Sequence, residues 1–441
     1  MVSVLFVIVF LLTVFSYRTG RGSLVLPSFI VGAVFALATF YYTINLSFIG
    51  EDISFLTSFV IISGLLSWII GENVAKTATT KNKVYREITT PVVISNKLVY
   101  AGCMISLFVT IVNYNYFKSV GQYLGGNNIL AYYSLVRGYL NDLNSEVSFT
   151  DDFNKPRIAK LLECYVIAQN YLLIYYYYYN NIIAKKKGFK KYVLPFVIYS
   201  PSLFFSTARA AFVEPIAFLV VVPILMSYTN NRITKVNKKY IKYIFIIAIV
   251  SIALFKITGD IRGGAFLDNG SGLSEGWNTI NRDLCIYIAS PIKGLDLFLS
   301  NIHEENSAVF GGYTLSGIYD ILRFLGINIE SDNTIQQESF RFIGYNSNVY
   351  TGFKAAIIDF SLVMHIPYCF IIGYVCGLFY YKMRTGNYKR NAVLGVVLGR
   401  LYYPIFMFFF TNTFVSYTGT LFFIFLFFLI ITHKQIMKKS H

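Results

Sequence analysis

Charged side chains make up only 14% of this 441-residue chain, which also has just four histidines, five cysteines and ten prolines. With so few charges set against 55% hydrophobic residues and a mean hydropathy of +0.55, the apolar surface exceeds what one water-soluble core buries. That excludes an ordinary soluble enzyme. The histidines (His303, His365, His433 and His441) are scattered. The cysteines show no Cys-x-x-Cys, and four of them (Cys103, Cys164, Cys369 and Cys376) fall inside apolar runs, leaving only Cys285 in a hydrophilic stretch. Neither a disulfide framework nor a metal centre follows from that spacing. Also missing are a Gly-x-x-x-x-Gly-Lys-Ser/Thr phosphate loop and a His-Glu-x-x-His pair. The first absence argues against ATP-driven work. No Asp-x-Asp occurs, the nearest approach being Glu330-Ser-Asp332. A divalent ion holding a diphosphate therefore has little support.

What is present is a series of long apolar runs. They cover residues 2–17, 23–43, 53–70, 98–117, 161–183, 192–206, 210–228, 243–258, 352–381, 392–411 and 418–432. The expectation is an all-α polytopic membrane protein with about eleven transmembrane helices, each crossing roughly 30 Å of hydrocarbon. The first run ends at Tyr17-Arg18 without a small-residue cleavage site, so it reads as a retained helix.

The net charge of +16 is distributed, with lysines and arginines gathered at alternate loops: Arg18/Arg21, Lys76 to Arg86, Lys185 to Lys191, Arg232 to Lys242, Lys382 to Arg390 and Lys434 to Lys439. Only Glu72 and Glu87 oppose them there, whereas the other loops hold nearly every acidic residue. Topology accounts for this pattern better than nucleic acid does: the basic loops are cytoplasmic, the N-terminus outside and the C-terminus inside. The run Tyr175 to Tyr179, just before the Lys185 cluster, reads as an aromatic belt at headgroup level.

On this topology residues 1–258 carry helices one to eight with an outer loop at 118–160, residues 259–351 form a large extracytoplasmic loop, and residues 352–441 carry helices nine to eleven. The large loop is too long for a passive connector and directs attention to the outer face. Arginines are what that face offers. Arg209 sits in Ser206-Thr-Ala-Arg-Ala-Ala-Phe212 at an outer helix junction, and Arg262 in Gly259-Asp-Ile-Arg-Gly-Gly264 just beyond the next span. Arg282, Arg323 and Arg341 follow in the loop. Guanidinium groups offer a permanent planar fork to phosphate oxygens, so several converging at the surface would stabilise a leaving diphosphate without metal. The plainer reading pairs Arg262 with Asp260, Arg282 with Asp283 and Arg341 with Glu338.

A second constellation, Asn348-Val-Tyr-Thr-Gly-Phe-Lys-Ala-Ala-Ile-Ile-Asp-Phe-Ser361, leads into a run longer than one crossing needs, so its first turns lie at the surface or form a broken helix. Asp359 then faces the bundle interior, either accepting a proton from a sugar hydroxyl or ordering the large loop. Lys354 lies five residues away, outside helical pairing distance. His365 reads as a hydrogen-bonded histidine of the bundle.

Over residues 192–377 the motif order resembles the O-antigen polymerases (Wzy type), which join oligosaccharide repeat units in bacterial surface polysaccharide assembly. The matching features are Thr207-Ala-Arg-Ala-Ala211, Asp260-Ile-Arg-Gly-Gly264, and Asn348-Val-Tyr-Thr351 followed by Asp359-Phe-Ser361. Ala210 and Ser361 stand where the family has glycine.

The resemblance implies a membrane-embedded, inverting, metal-independent glycosyltransferase of the C type (GT-C-like), without cofactor, in the bacterial plasma (inner) membrane. It would act in lipopolysaccharide or other surface polysaccharide biosynthesis, at the periplasmic or outer face. Donor and acceptor would both be oligosaccharides linked to undecaprenyl diphosphate, with membrane lipid around the protein and a chain-length regulator as a further partner. Arg209 and Arg262 would stabilise the leaving group. Arg282, Arg341 and Arg323 would bind the second diphosphate or the glycan, Asp359 or Asp260 would act as base, and Asn348, Tyr350, Thr351 and Tyr313 would contact sugar. The competing readings are an O-antigen ligase, which shares the topology and differs in acceptor, and a lipid-linked oligosaccharide flippase. A flippase calls for two related halves and charges spread through many spans.

Overall fold

The computed structural model describes residues 1–80, 90–129, 131–133, 135–136, 156–206, 210–228, 285, 287–301, 309–327, 340–343, 345–385 and 387–439. The described chain is mostly helical, with one two-stranded hairpin. Among the described residues six helices are long and apolar enough to cross a membrane: Val2–Thr19, Pro27–Ile44, Phe55–Thr79, Asn96–Tyr123, His365–Arg384 and Thr420–Lys438. Two shorter apolar helices, Ala211–Ser227 and Ala392–Met407, meet expected spans in part. The expected span at 192–206 folds as two short helices in succession, each opened by a proline. The one at 243–258 lies outside the described residues.

Contacts divide the chain into two compact units. The first comprises Met1–Lys83, Leu267–Thr385 and Leu401–Thr420. It contains α1 (Val2–Thr19), α2 (Pro27–Ile44), α3 (Leu46–Ile49) and α4 (Phe55–Thr80). The second comprises Val84–Phe266, Gly386–Arg400 and Leu421–His441. Its α5 is Asn96–Tyr123, its α6 Arg157–Tyr178, its α7 Leu194–Tyr199, its α8 Pro201–Phe205 and its α9 Ala210–Ser227. The chain returns to the first unit with α10 (Ser290–Ser300), α11 (Ser316–Phe324), β1 (Phe340–Phe342), β2 (Tyr345–Ser347), α12 (Phe353–Phe360) and α13 (His365–Thr385). Last come α14 (Ala392–Met407), whose residues through Arg400 belong to the second unit, and α15 (Thr420–Lys439).

Glycine sets the core of the first unit. Gly373 and Gly377, four apart on α13, face α4, and Gly71 of α4 faces back. A β-carbon at Gly71 would lie 2.2 Å from the Phe370 carbonyl oxygen, and one at Gly373 would lie 2.3 Å from that of Trp68. The two backbones therefore meet with no room for a side chain, the small-residue contact by which helices associate in lipid. Beside this contact the buried Glu72 carboxylate accepts bonds from the Ser28 N–H at 2.8 Å and the Ser28 hydroxyl at 3.0 Å. It thus places a carboxylate at the N-terminus of α2, where main-chain donors otherwise lack partners. Lys76 Nζ donates to the Thr19 carbonyl at 2.7 Å, giving the end of α1 a cation. Glu72 and Lys76, read from the sequence as loop charges, are helix-terminus partners in the structure.

Tyrosine hydroxyls tie the second unit. Tyr175 donates to the Tyr388 carbonyl at 2.9 Å, Tyr178 to the Leu219 carbonyl at 3.1 Å, and Tyr176 meets His433 Nδ1 at 2.6 Å. Tyr175, Tyr176 and Tyr179 are fully buried. This corrects the aromatic-belt expectation for Tyr175, Tyr176 and Tyr179, which pack inside the protein with their hydroxyls bonded to neighbouring segments, as a low-dielectric core requires, while Tyr177 and Tyr178 are half-buried.

Candidate functional site

The motif at 340–361 folds as a hairpin feeding a short helix. Phe340 pairs with Ser347, Arg341 with Asn346 and Phe342 with Tyr345. Arg341 is exposed on this hairpin, and Asn348 is exposed just after it. The hairpin is braced against α10, where Ser347 Oγ donates to Ser290 Oγ at 3.1 Å and Gly294 leaves room for the Val349 carbonyl. Tyr350 packs edge-on against Phe340 with ring centroids 5.3 Å apart. Its other face carries Lys354 Nζ, 3.8 Å from the ring centroid, while the Phe298 ring lies 5.0 Å from the same ammonium. Lys354 is almost wholly buried there, and aromatic faces are the natural neighbours of a desolvated cation. The Thr351 hydroxyl is buried and meets no hydrogen-bond partner among the described residues. Gly352 donates its N–H to the Phe408 carbonyl at 2.7 Å, and a β-carbon there would lie 2.5 Å from the Phe408 ring.

The long run at 352–381 is a broken helix, the second of the two expected forms. α12 ends at Ser361, whose φ of 91° and ψ of 165° lie in a region that favours glycine, and α13 begins at His365. Asp359, in the last turn of α12, is buried; Oδ1 accepts the Tyr313 N–H at 3.0 Å and Oδ2 the Thr314 N–H at 2.6 Å. The carboxylate thereby fastens residues 313–314 of the large loop to the start of the next span. His365 is a fully buried core histidine, bonded through Nε2 to Ser63 Oγ at 2.9 Å and through Nδ1 to the Leu362 carbonyl.

Asp359 and Tyr313 are therefore brought together, while Asn348, Tyr350, Thr351 and Arg341 line the adjoining hairpin and helix start. Arg323 stands apart on α11, paired with Asp320 one turn away at 2.5 Å. Arg209, Asp260, Arg262 and Arg282 lie outside the described residues.

The loop is anchored at a second point. Asp296 of α10 accepts the Ser54 N–H and the Thr57 hydroxyl, each at 2.8 Å, at the start of α4. Lys293 lies 3.2 Å from Asp296 and 2.7 Å from Glu51. Burial would raise the Asp296 carboxyl, but the bonds from Ser54, Thr57 and Lys293 outweigh it and hold the group below its ordinary range. For Lys293 burial works to lower the ammonium, and the two carboxylates outweigh it and raise it. Burial pushes the Cys285 thiol up to about 11, which favours the protonated form at neutral pH.

The second unit holds charges that the motif reading passed over. Arg400 of α14 forms an ion pair with Glu214 of α9, and its guanidinium lies 4.1 Å from the Phe425 ring centroid and 5.5 Å from that of Tyr171. On α6, Glu163 Oε1 accepts from Asn113 and from the Tyr199 hydroxyl, each at 3.1 Å. Glu214 lies five residues beyond Arg209. A charge in the middle of an apolar run, as Arg400 is, was the available signal.

Comparison of the chain with protein-family models, with curated proteins and with solved structures finds no match.

Proposed function

We propose that the protein is a bacterial O-antigen or other surface polysaccharide polymerase of the Wzy type, a GT-C-like glycosyltransferase with about eleven membrane helices, in the plasma membrane. The observation that carries the reading is the order of three motifs: Thr207-Ala-Arg-Ala-Ala211, then Asp260-Ile-Arg-Gly-Gly264, then Asn348-Val-Tyr-Thr351 with Asp359-Phe-Ser361. Support comes from the folded form of the third motif, a hairpin and helix start from which Asp359 holds the loop at Tyr313 and Thr314.

At the outer face a hydroxyl of one lipid-linked repeat unit attacks the anomeric carbon of the growing glycan on undecaprenyl diphosphate. The new carbon–oxygen bond forms as the bond to the diphosphate breaks, inverting that carbon, and the diphosphate leaves with the electron pair. Arg209 and Arg262 stabilise the charge that develops on it, each typically by a few kcal/mol. Arg282, Arg341 and Arg323 hold the second diphosphate or the glycan, and Asn348, Tyr350, Thr351 and Tyr313 contact sugar. Both Asp359 oxygens already accept main-chain donors, so Asp359 serves as a positioning residue, and Asp260 takes the proton of the attacking hydroxyl. A chain-length regulator is the expected protein partner.

The test is the surface-glycan ladder of a strain lacking this gene, complemented with wild type, Arg209→Ala or Arg262→Ala at matched expression. The expected result is a single-repeat band in the deletion, restored to a ladder by wild type and by neither variant. Loss of all surface glycan in the deletion, single-repeat form included, would instead indicate a ligase or a flippase.

A further inference from the structure

From the packing of α11 we infer that this helix of the large loop lies in the lipid headgroup region, with its apolar stripe sunk toward the acyl chains. The sequence Ser316-Gly-Ile-Tyr-Asp-Ile-Leu-Arg-Phe324 places Ile318, Leu322 and the following Leu325 at i, i+4 and i+7, one face of a helix. At roughly 100° per residue, Asp320 and Arg323 fall on the opposite face, where they pair with each other. Among the described residues this stripe is open in part: Ile318 is 40% exposed and Leu325 67%, Leu322 is half-buried, and Phe310, ahead of the helix, is 72% exposed.

The occupant follows from what lies beside the stripe. Gly317 presses α11 against the chain just ahead of α15, where a β-carbon would come within 2.5 Å of the Gly419 nitrogen and 2.6 Å of Thr418 Oγ1. The Phe310 ring packs at a tilt against Phe360, at the end of α12, with ring centroids 4.8 Å apart. Directly after that come Val363 and Met364, 67% and 50% exposed, which lead into α13. Along α13 the exposed apolar surface continues through Ile371 and Val375, at helical spacing from Met364. Through the Phe310–Phe360 contact, the segment that leads into α11 thus adjoins the start of a helix long and apolar enough to cross a membrane, with exposed apolar side chains on both. A short helix with one apolar face and a charged pair opposite, held at that level, is the form of an interfacial helix. The inference concerns the bilayer as partner and does not depend on the polymerase reading. Through residues 313–315 it ties the Asp359 clamp to the depth of the membrane surface.

The experiment uses the full-length protein in vesicles of phosphatidylcholine, with and without bromine on the acyl chains. Tryptophan is introduced singly as Ile318→Trp, Leu325→Trp, Phe310→Trp or Asp320→Trp, and the emission of the two native tryptophans is subtracted. Ile371→Trp on α13 reports separately on the membrane placement of the span. The added emission at 318, 325 and 310 is expected to fall to about half in brominated vesicles, as for residues in the acyl region, and that at 320 to stay unchanged. Quenching at 371 without quenching at 318, 325 and 310 overturns the inference, because the stripe then faces water or a protein. Equal quenching at 320 overturns it too, since the helix would then have no wet face.

Discussion

The two compact units differ in what their helix-facing glycines meet. In the first, glycines let α4 and α13 touch backbone to backbone, so Gly71 and Gly373 each face a carbonyl oxygen. In the second, glycines face side chains, Gly102 meeting the Gln169 amide and Gly399 the Phe218 ring, and the joining work falls to hydroxyls and to the Arg400–Glu214 pair. Backbone contact gives a joint that cannot yield. Side-chain polar contacts give one that adjusts but leaves a charge or a donor stranded when a partner is removed. The first unit is also the one that carries the 340–361 motif and its Asp359 clamp.

This contrast breaks most readily at the glycines. Gly373→Leu or Gly71→Leu should destabilise the first unit by about 3 kcal/mol or more, because no rotamer relieves a clash with backbone. Gly102→Ala and Gly399→Ala should be markedly milder, since the Gln169 amide and the Phe218 ring can turn aside. Thermal unfolding of the purified variants in detergent separates the two, and equal losses would refute the distinction.

Next in size is the ion pair. Arg400→Met or Glu214→Gln alone should each cost about 2–3 kcal/mol by leaving the other group poorly partnered, whereas the double variant should recover most of that loss. Strictly additive losses in the same unfolding assay would mean that the two side chains act independently.

A smaller effect, of opposite sign, is expected at Ser361. Its positive φ carries a cost that glycine lacks, so Ser361→Gly should raise stability by about 1 kcal/mol and Ser361→Val should lower it. No gain on Ser361→Gly would mean that the helix break is held in another conformation.

The smallest effect is on pH. Asp296 sits below its ordinary value of 3.8, so its contribution is complete above that value and is lost as pH falls through the folded-state value. Lys293 sits above its ordinary value of 10.5, so its contribution is complete below that value and is lost as pH rises through the folded-state value. Hydrogen exchange of residues 290–300 should therefore accelerate at both extremes. Asp296→Asn should remove most of the acid response, and an unchanged acid response in that variant would show that the anchor lies elsewhere.

The sequence made the helical, multi-span character legible because long apolar runs have one physical solution in lipid. It also showed the surplus length before His365, which the structure spends on the break at Ser361. Less legible were the glycine contacts, since Gly373 and Gly377 take their meaning only from what faces them on α4. Tyr175 to Tyr179 misled because belt and core share the same composition, and only the partners of the hydroxyls tell them apart. The double grip of Asp359 on Tyr313 and Thr314 spans more than forty residues of chain, and no local pattern announces it. Arg400, by contrast, was open to view in the middle of an apolar run.

The most direct test of the central claim is elongation in a purified system. The lipid-linked repeat unit that the proposed function expects to accumulate in the deletion strain is extracted and given to the purified protein in vesicles, with a chelator present. A ladder of longer lipid-linked glycans, abolished by Arg262→Ala in protein of unchanged helicity, is the predicted result. No elongation by well-folded wild type, with or without added divalent ions, would contradict the polymerase assignment.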